Sequence, residues 1–306
     1  MLEYLSTLPG AITLGLVWTV LALGVYITYK ILNIADLTVD GSFVTGGIVA
    51  AVLILNGVHF MVAILVAFLA GALCGFITGI LHTLLGIPAI LAGILTQMAL
   101  WSINLVIGNS SNIPLLNTVR IFTQDNVTDA LWKAALIVLT IVAILYIFFG
   151  TERGASIRAT GNNQDMSRAQ GINTKFNIVL GLMISNGLVA LSGALLAQYQ
   201  GYADINMGKG AIVIGLCAVV IGAPIVNKIS SNFFVRLLGA AIGGLIYYII
   251  FQTVVFLGVD TRLLKMLAAV LVVIFLGVPY IRKNYSDAIK KKWKNHKMKK
   301  EGLSND

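Results

Sequence analysis

Apolar runs of about 20 residues, the length a helix needs to cross a bilayer, recur along nearly the whole chain. About nine can be marked: Gly10–Tyr29, Phe43–Asn56, Phe60–Leu81, Ile87–Ile107, Ala130–Phe149, Phe176–Tyr199, Gly210–Val226, Val235–Leu257 and Leu263–Ile281. Charged residues make up 11% of the 306, against about 25% in a soluble domain. The expected fold is an all-α polytopic membrane protein with about nine transmembrane helices. The first run follows no basic segment and is longer than the apolar region of a signal peptide, so it is expected to be a retained span. Cys74 and Cys217 both fall inside apolar runs, which speaks against a disulfide framework. His59, His82 and His296 are too scattered for a metal site.

The second and seventh runs are short, and each follows a polar stretch containing glycine. Before the second, Asn33, Asp36, Asp40, Gly41 and Ser42 interrupt what would otherwise be lipid-soluble helix. A carboxylate at membrane depth is costly unless paired, hydrated or hydrogen-bonded. Shifting the chain by 168 positions lays Ala35-Asp36 on Ala203-Asp204, Leu37 on Ile205, Gly47 on Gly215 and Ala50 on Ala218. The preceding run follows, with Ala22-Leu23 falling on Ala190-Leu191. An odd fifth span makes the two halves run in opposite directions. An inverted repeat with two broken helices is therefore expected, and such helices mark the translocation path in many transporters. Asp36 and Asp204 can cap the interrupted helices or meet solute, and Asn206 accompanies Asp204. Gly208 stands where the first half has Asp40, so the path is chemically asymmetric.

Basic residues concentrate in the tail after Ile281 and at Arg153, Arg158, Arg168 and Lys175. Cytoplasmic segments are rich in Lys and Arg, which places the C-terminus inside and, with nine spans, the N-terminus outside. The tail reads as a solvated segment near anionic lipid. No nucleic-acid-binding motif surrounds it.

The loop before the sixth span, TERGASIRATGNNQDMSRAQGINTKF, is long and polar. Its middle, Ala155 to Gln170, is expected to form one short helix stopped near Gly171. The loop resembles that of permease subunits of bacterial ABC importers in the branched-chain amino acid, ribose and nucleoside group. The matching residues are Gly154, Ile157, Arg158 and Ala159; Asn162 and Asn163; then Ala169, Gly171, Ile172 and Asn173, with Gly193-Ala194-Leu195-Leu196 in the next span. The resemblance implies that Gly154–Asn173, including Arg168, forms the coupling segment that docks on a separate ATPase. The Asp-Gly pair at Asp40-Gly41 is similar to a poorly characterised branch linked to aromatic amino acid uptake.

The resemblance implies one permease domain over residues 1–306. The first repeat covers about 8–108, a linking span and coupling loop about 130–175, and the second repeat about 176–281; 282–306 form the basic tail. It further implies two ABC ATPase subunits, a second permease copy, an extracytoplasmic solute-binding protein, and a place in the bacterial cytoplasmic membrane. The chain contains no phosphate-binding loop, so it is expected to bind no cofactor and to be no enzyme, with ATP used by the partner. The alternative is an ion-coupled secondary transporter with Asp36, Asp40 and Asp204 as ion sites, which leaves the polar loop unexplained. An intramembrane enzyme would need a nucleophile–base or metal constellation in the spans, and the sequence offers none.

Overall fold

A computed structural model describes residues 2–116, 118–122, 127–227 and 232–258, and individual positions between 263 and 277. Six helices in this set are long and apolar enough to cross a membrane. They are α1 (Leu2–Tyr26, continued by a π-helical turn at Ile27–Ile31), α3 (Phe60–Thr83), α4 (Ala89–Gly108), α5 (Val127–Gly150), α8 (Thr174–Gln200) and α10 (Phe233–Phe256). Two shorter apolar helices, α2 (Val39–Leu55) and α9 (Ala211–Asn227), occupy the second and seventh expected spans. The ninth expected span falls mostly outside the described residues, and the basic tail wholly so. The fold is all-α and polytopic.

The second span starts earlier than its apolar run suggests. Asp40, Gly41 and Ser42 belong to the first turn of α2 and do not precede it. The polar loop is likewise two helices, α6 (Glu152–Asn162) and α7 (Gln164–Ala169), where one was expected. Asn163 explains the break. Its backbone is extended, and its side chain accepts from Met166 N at 3.0 Å, which caps α7. Thr151 and Asn173 cap α6 and α8 in the same way. Gly171, at φ +79°, supplies the expected stop after α7.

α1 and α8 form the centre: 83% and 72% of their apolar windows are buried, against 28% for α4 and α5. They cross antiparallel, and their contacts exchange under the 168-residue shift. Ser185 Oγ donates to Gly24 O at 2.8 Å, and Ser192 Oγ donates to Val17 O at 2.8 Å. Val17 and Gly24 are the repeat mates of Ser185 and Ser192. A twofold axis between two oppositely directed helices produces such an exchange. Gly47 against Gly193 is mirrored by Gly215 against Val25, another swapped pair. Around this centre the helices approach through small residues. A Cβ at Gly46 would overlap the backbone of Ala190, and one at Gly193 the carbonyl of Phe43. Close backbone approach of this kind is how helices gain contact in lipid, where apolar burial gives no drive.

The segments that follow α4 and α8 pair as a two-stranded antiparallel ladder, β1 (Asn112–Pro114) with β2 (Tyr202–Asp204). This ladder places the far ends of α4 and α8 on one side. The α6–α7 pair lies at the opposite end, where Gly161 fits against the carbonyl of Ile31.

Candidate functional site

The chain re-enters between Leu32 and Thr38, with Asn33 exposed and left-handed at φ 56°. Asp36 lies buried in this segment. Its Oδ1 accepts from Thr38 N at 2.9 Å and its Oδ2 from Asn186 Nδ2 at 2.7 Å. Ser42 Oγ donates to Asn186 Oδ1 at 2.6 Å. On the other side, Thr38 Oγ1 meets Thr78 Oγ1 at 2.8 Å, and Thr78 donates to Thr96 at 3.0 Å. One buried polar chain thus binds the re-entrant segment to α2, α3, α4 and α8. Such a chain is stable in an apolar interior because its members satisfy one another.

Asp40 does something the sequence did not indicate. It caps the other broken helix: Oδ2 accepts from Gly210 N at 3.0 Å and Oδ1 from Ile212 N at 2.9 Å. The N-termini of α2 and α9 therefore meet, and one carboxylate lies between two partially positive helix ends. Gly208, the repeat mate of Asp40, touches the Asp40 carbonyl, and a Cβ there would overlap it. Equivalent positions in contact mark the pseudo-twofold axis. The junction is level with the middle of α4, since Gly41 lies against Gln97 and Leu100. Asp204 is placed differently from Asp36. It is half-buried at the ladder, and its Oδ1 accepts from Asn206 N at 2.7 Å. That bond repeats the Asp36–Thr38 bond at the mate positions, but Asp204 and the exposed Asn206 stand outside the junction.

A cavity of about 280 Å³ adjoins the junction, lined by Asp40 and Gly41 of α2, by α4 from Ile94 to Asn104, and by Ile205, Gly208 and Lys209. At the opposite end, α6 is tied to α8 by Asn177 Nδ2, which donates to Ser156 Oγ at 2.6 Å and to Thr160 Oγ1 at 2.9 Å. Arg158 stacks over Phe233, 5.2 Å from its centroid, and with Lys30, Asn162 and Arg236 lines a cleft of about 470 Å³.

Residues 8–276 match the family described as branched-chain amino acid transport system, permease component. The chain belongs to this family. The tyrosine transport system permease protein of Clostridioides difficile (strain R20291) is 37% identical over 273 residues, spanning 89% of this chain and 91% of that one. The ribose import permease protein RbsC of Escherichia coli (strain K12) is 25% identical over 247 residues, spanning 78% and 75%. Among solved structures, PsaBC from Streptococcus pneumoniae in complex with Fab superposes with a TM-score of 0.57 at 16% identity, covering 90% of this chain and 95% of that one. That likeness concerns the fold alone.

Within this permease, the loop residues expected to act in coupling divide by burial. Gly154 and Ile157 are buried, Gly154 against the backbone of Phe149. Arg158, Ala159, Asn162, Asn163, Ala169 and Gly171 are exposed. Arg168 is held locally by Thr174, Gln164 and Asp165. Ile172 is partly buried beside the capping Asn173. Sequence reasoning missed Asn186, Asn177, Gln97, Asn104 and Lys209. The available signal was amide side chains inside apolar runs: Gln97 and Asn104 lie two helical turns apart on one face of α4.

Proposed function

We propose that this permease is the transmembrane subunit of an ATP-binding cassette importer that carries a small solute, an amino acid, across the bacterial cytoplasmic membrane. It works as a pair of permeases with two ATPase subunits and an extracytoplasmic solute-binding protein. Its N-terminus lies outside and its C-terminus in the cytoplasm. The repeats run from about 8 to 108 and from about 176 to 281, and 130–175 contain the linking span and the coupling segment. The observation that carries the reading is the α6–α7 pair, a polar two-helix segment at the end of the bundle fastened to α8 through Asn177. α8 also carries Asn186, which holds the re-entrant Asp36. A push on α6 therefore reaches the junction of the broken helices along one rigid element. The similarity to a tyrosine transport permease supports the amino acid class.

An ion-coupled carrier is the weaker reading. The oxygens of Asp36 and Asp40 already accept hydrogen bonds from the protein, as caps do. Affinity purification of the tagged full-length chain from its own membranes tests the proposal, read by the partners that co-purify. An ABC ATPase in the eluate supports it. A chain that purifies without one, yet drives uptake after reconstitution alone, overturns it.

A further inference from the structure

We infer that the α6 end of the bundle carries a binding site for an anionic phospholipid. Lys30, Arg158 and Arg236 hold its phosphate, and its acyl chains enter the adjoining groove between α5 and α10. The inference stands apart from the transport function and needs only that the chain spans a membrane.

Charge supplies the first argument. Three cations from three elements border the cleft of about 470 Å³ beside α6: Lys30 of the π-helical turn after α1, Arg158 of α6, and Arg236 in the first turn of α10. All three are exposed. Among the described residues no carboxylate lines the cleft, and none of the three makes an ion pair. Like charges around one cleft repel, and an anion between them turns that repulsion into attraction. The other polar side chains of the wall, Tyr26 and Asn162, each offer a hydrogen-bond donor. α10 starts at Phe233, so the partial positive charge of its N-terminus falls on the same place. Two guanidinium forks and an ammonium form a donor set suited to phosphate, since each fork can pair with two oxygens at once.

Shape supplies the second. Arg158 and Phe233 also line a larger groove, about 780 Å³, between the end of α5 and the start of α10, where Tyr146, Ile147, Phe149 and Phe234 make an apolar wall. The charged cleft and the apolar groove therefore meet at the stacked Arg158–Phe233 pair. Ile147 is 68% exposed and continues the exposed apolar stripe of Leu136, Leu139 and Ile144 along α5. The groove thus opens from the face that α5 turns outward. It lies in the last turn of α5 and the first of α10, the level where a lipid's headgroup gives way to its chains. A free inorganic anion has no use for such a groove, and an acidic peptide would set charges against an apolar wall. A phospholipid has both halves. Basic pockets between spans on the cytoplasmic side suit anionic headgroups, and the orientation proposed above puts this cleft on that side.

The test titrates the full-length chain in detergent with phosphatidylglycerol or phosphatidylcholine of the same chain length, and reads bound lipid by native mass spectrometry. Phosphatidylglycerol should bind about tenfold tighter or more. Lys30→Gln and Arg236→Gln should each weaken its binding about fivefold, and the double variant about twentyfold, with phosphatidylcholine binding unchanged. The pair Lys30→Arg/Arg236→Lys keeps both charges and should bind as the wild type does, which separates charge from folding. Phosphatidylglycerol with a photoreactive group near the top of one acyl chain should cross-link within 146–151 or 232–235. Glycerol phosphate, a head without chains, should not compete. Equal affinity for the two lipids would overturn the inference, as would wild-type affinity in Lys30→Gln/Arg236→Gln or cross-links confined to other segments. Competition by glycerol phosphate at the lipid's own affinity would overturn it in favour of a soluble anion. An Arg236→Cys, in a chain cleared of Cys74 and Cys217, that is shielded from a thiol reagent by a co-purified ATPase and not by phosphatidylglycerol would assign the cleft to that subunit instead.

Discussion

Asn186 Nδ2 stands 2.7 Å from Asp36 Oδ2, in a buried contact between residues 150 positions apart. It joins the re-entrant segment to the central helix α8, and Asn186 also receives Ser42 Oγ. Asp36→Ala removes the acceptor for both Thr38 N and Asn186 Nδ2, and each stranded donor costs ~1–3 kcal/mol. Thermal unfolding in detergent should show a large loss for Asp36→Ala and a smaller one for Asp36→Asn, whose oxygen still accepts from Thr38. The double variant Asp36→Ala/Asn186→Ala should be more stable than the summed single losses require, by ~0.5–3 kcal/mol. Strict additivity would mean that the contact does not hold the segment.

Asp40 offers a contrasting case, because it stabilises a helix other than its own. Asp40→Asn leaves one acceptor oxygen for two amides, Gly210 N and Ile212 N, and removes the charge between two helix N-termini. We expect a loss of ~1–3 kcal/mol on unfolding, with protection from hydrogen exchange lost first at 210–212. Gly208→Ala should weaken the same region by pressing on the Asp40 carbonyl. If exchange at 210–212 is unchanged in both variants, the trans cap contributes nothing.

The architecture was legible where periodic apolar length alone decides it. α3, α4, α5, α8 and α10 sit within a few residues of their apolar runs, while α1 begins at Leu2, eight residues before its run. The repeat was legible from Asp36 and Asp204 because their local bond, to the amide two residues on, depends on residue type alone. The partners of Asp40 and Asp36 were not legible. Gly210 and Asn186 lie 170 and 150 positions away, and only the packing of α2 and the segment before it against α9 and α8 brings them near. The break in the polar loop was a local signal passed over. Asn163 is a strong N-cap residue in mid-segment, and a helix drawn through it leaves that preference unused. Lys209 reads in sequence as a turn residue before an apolar run. Its depth follows only once Gly208 is seen against Asp40.

Topology can be read with two cysteines in a chain cleared of Cys74 and Cys217, both of which are buried. Ser110 follows α4, beside the ladder, and is exposed; Asp165 lies on α7 with its side chain 94% exposed. In intact cells a membrane-impermeant thiol reagent should label Ser110→Cys, whereas Asp165→Cys should react only after permeabilisation. The reverse pattern would invert the orientation. Equal labelling of both in intact cells would contradict the placement of the ladder and the polar loop at opposite ends.

The link from α6 to α8 makes the proposed mechanism open to a separate test. Asn177 is 2% exposed and gives both of its donor bonds to α6, to Ser156 and Thr160. Asn177→Leu keeps the volume and the helix but cuts that tie, at a cost of ~1–3 kcal/mol for the two bonds together. Since α6 stays anchored by Ile157 in the core and by Gly161 against Ile31, the chain should still insert and reach normal levels. What should fall is the stimulation of ATP hydrolysis by solute in the assembled importer, about tenfold if the tie carries ~1.4 kcal/mol of coupling. Arg158→Glu should act at the same step by placing an acid in the cleft that Lys30 and Arg236 also line and removing the cation stacked on Phe233. Full stimulation in Asn177→Leu, with the complex intact, would show that movement at α6 reaches the broken helices by some route other than α8.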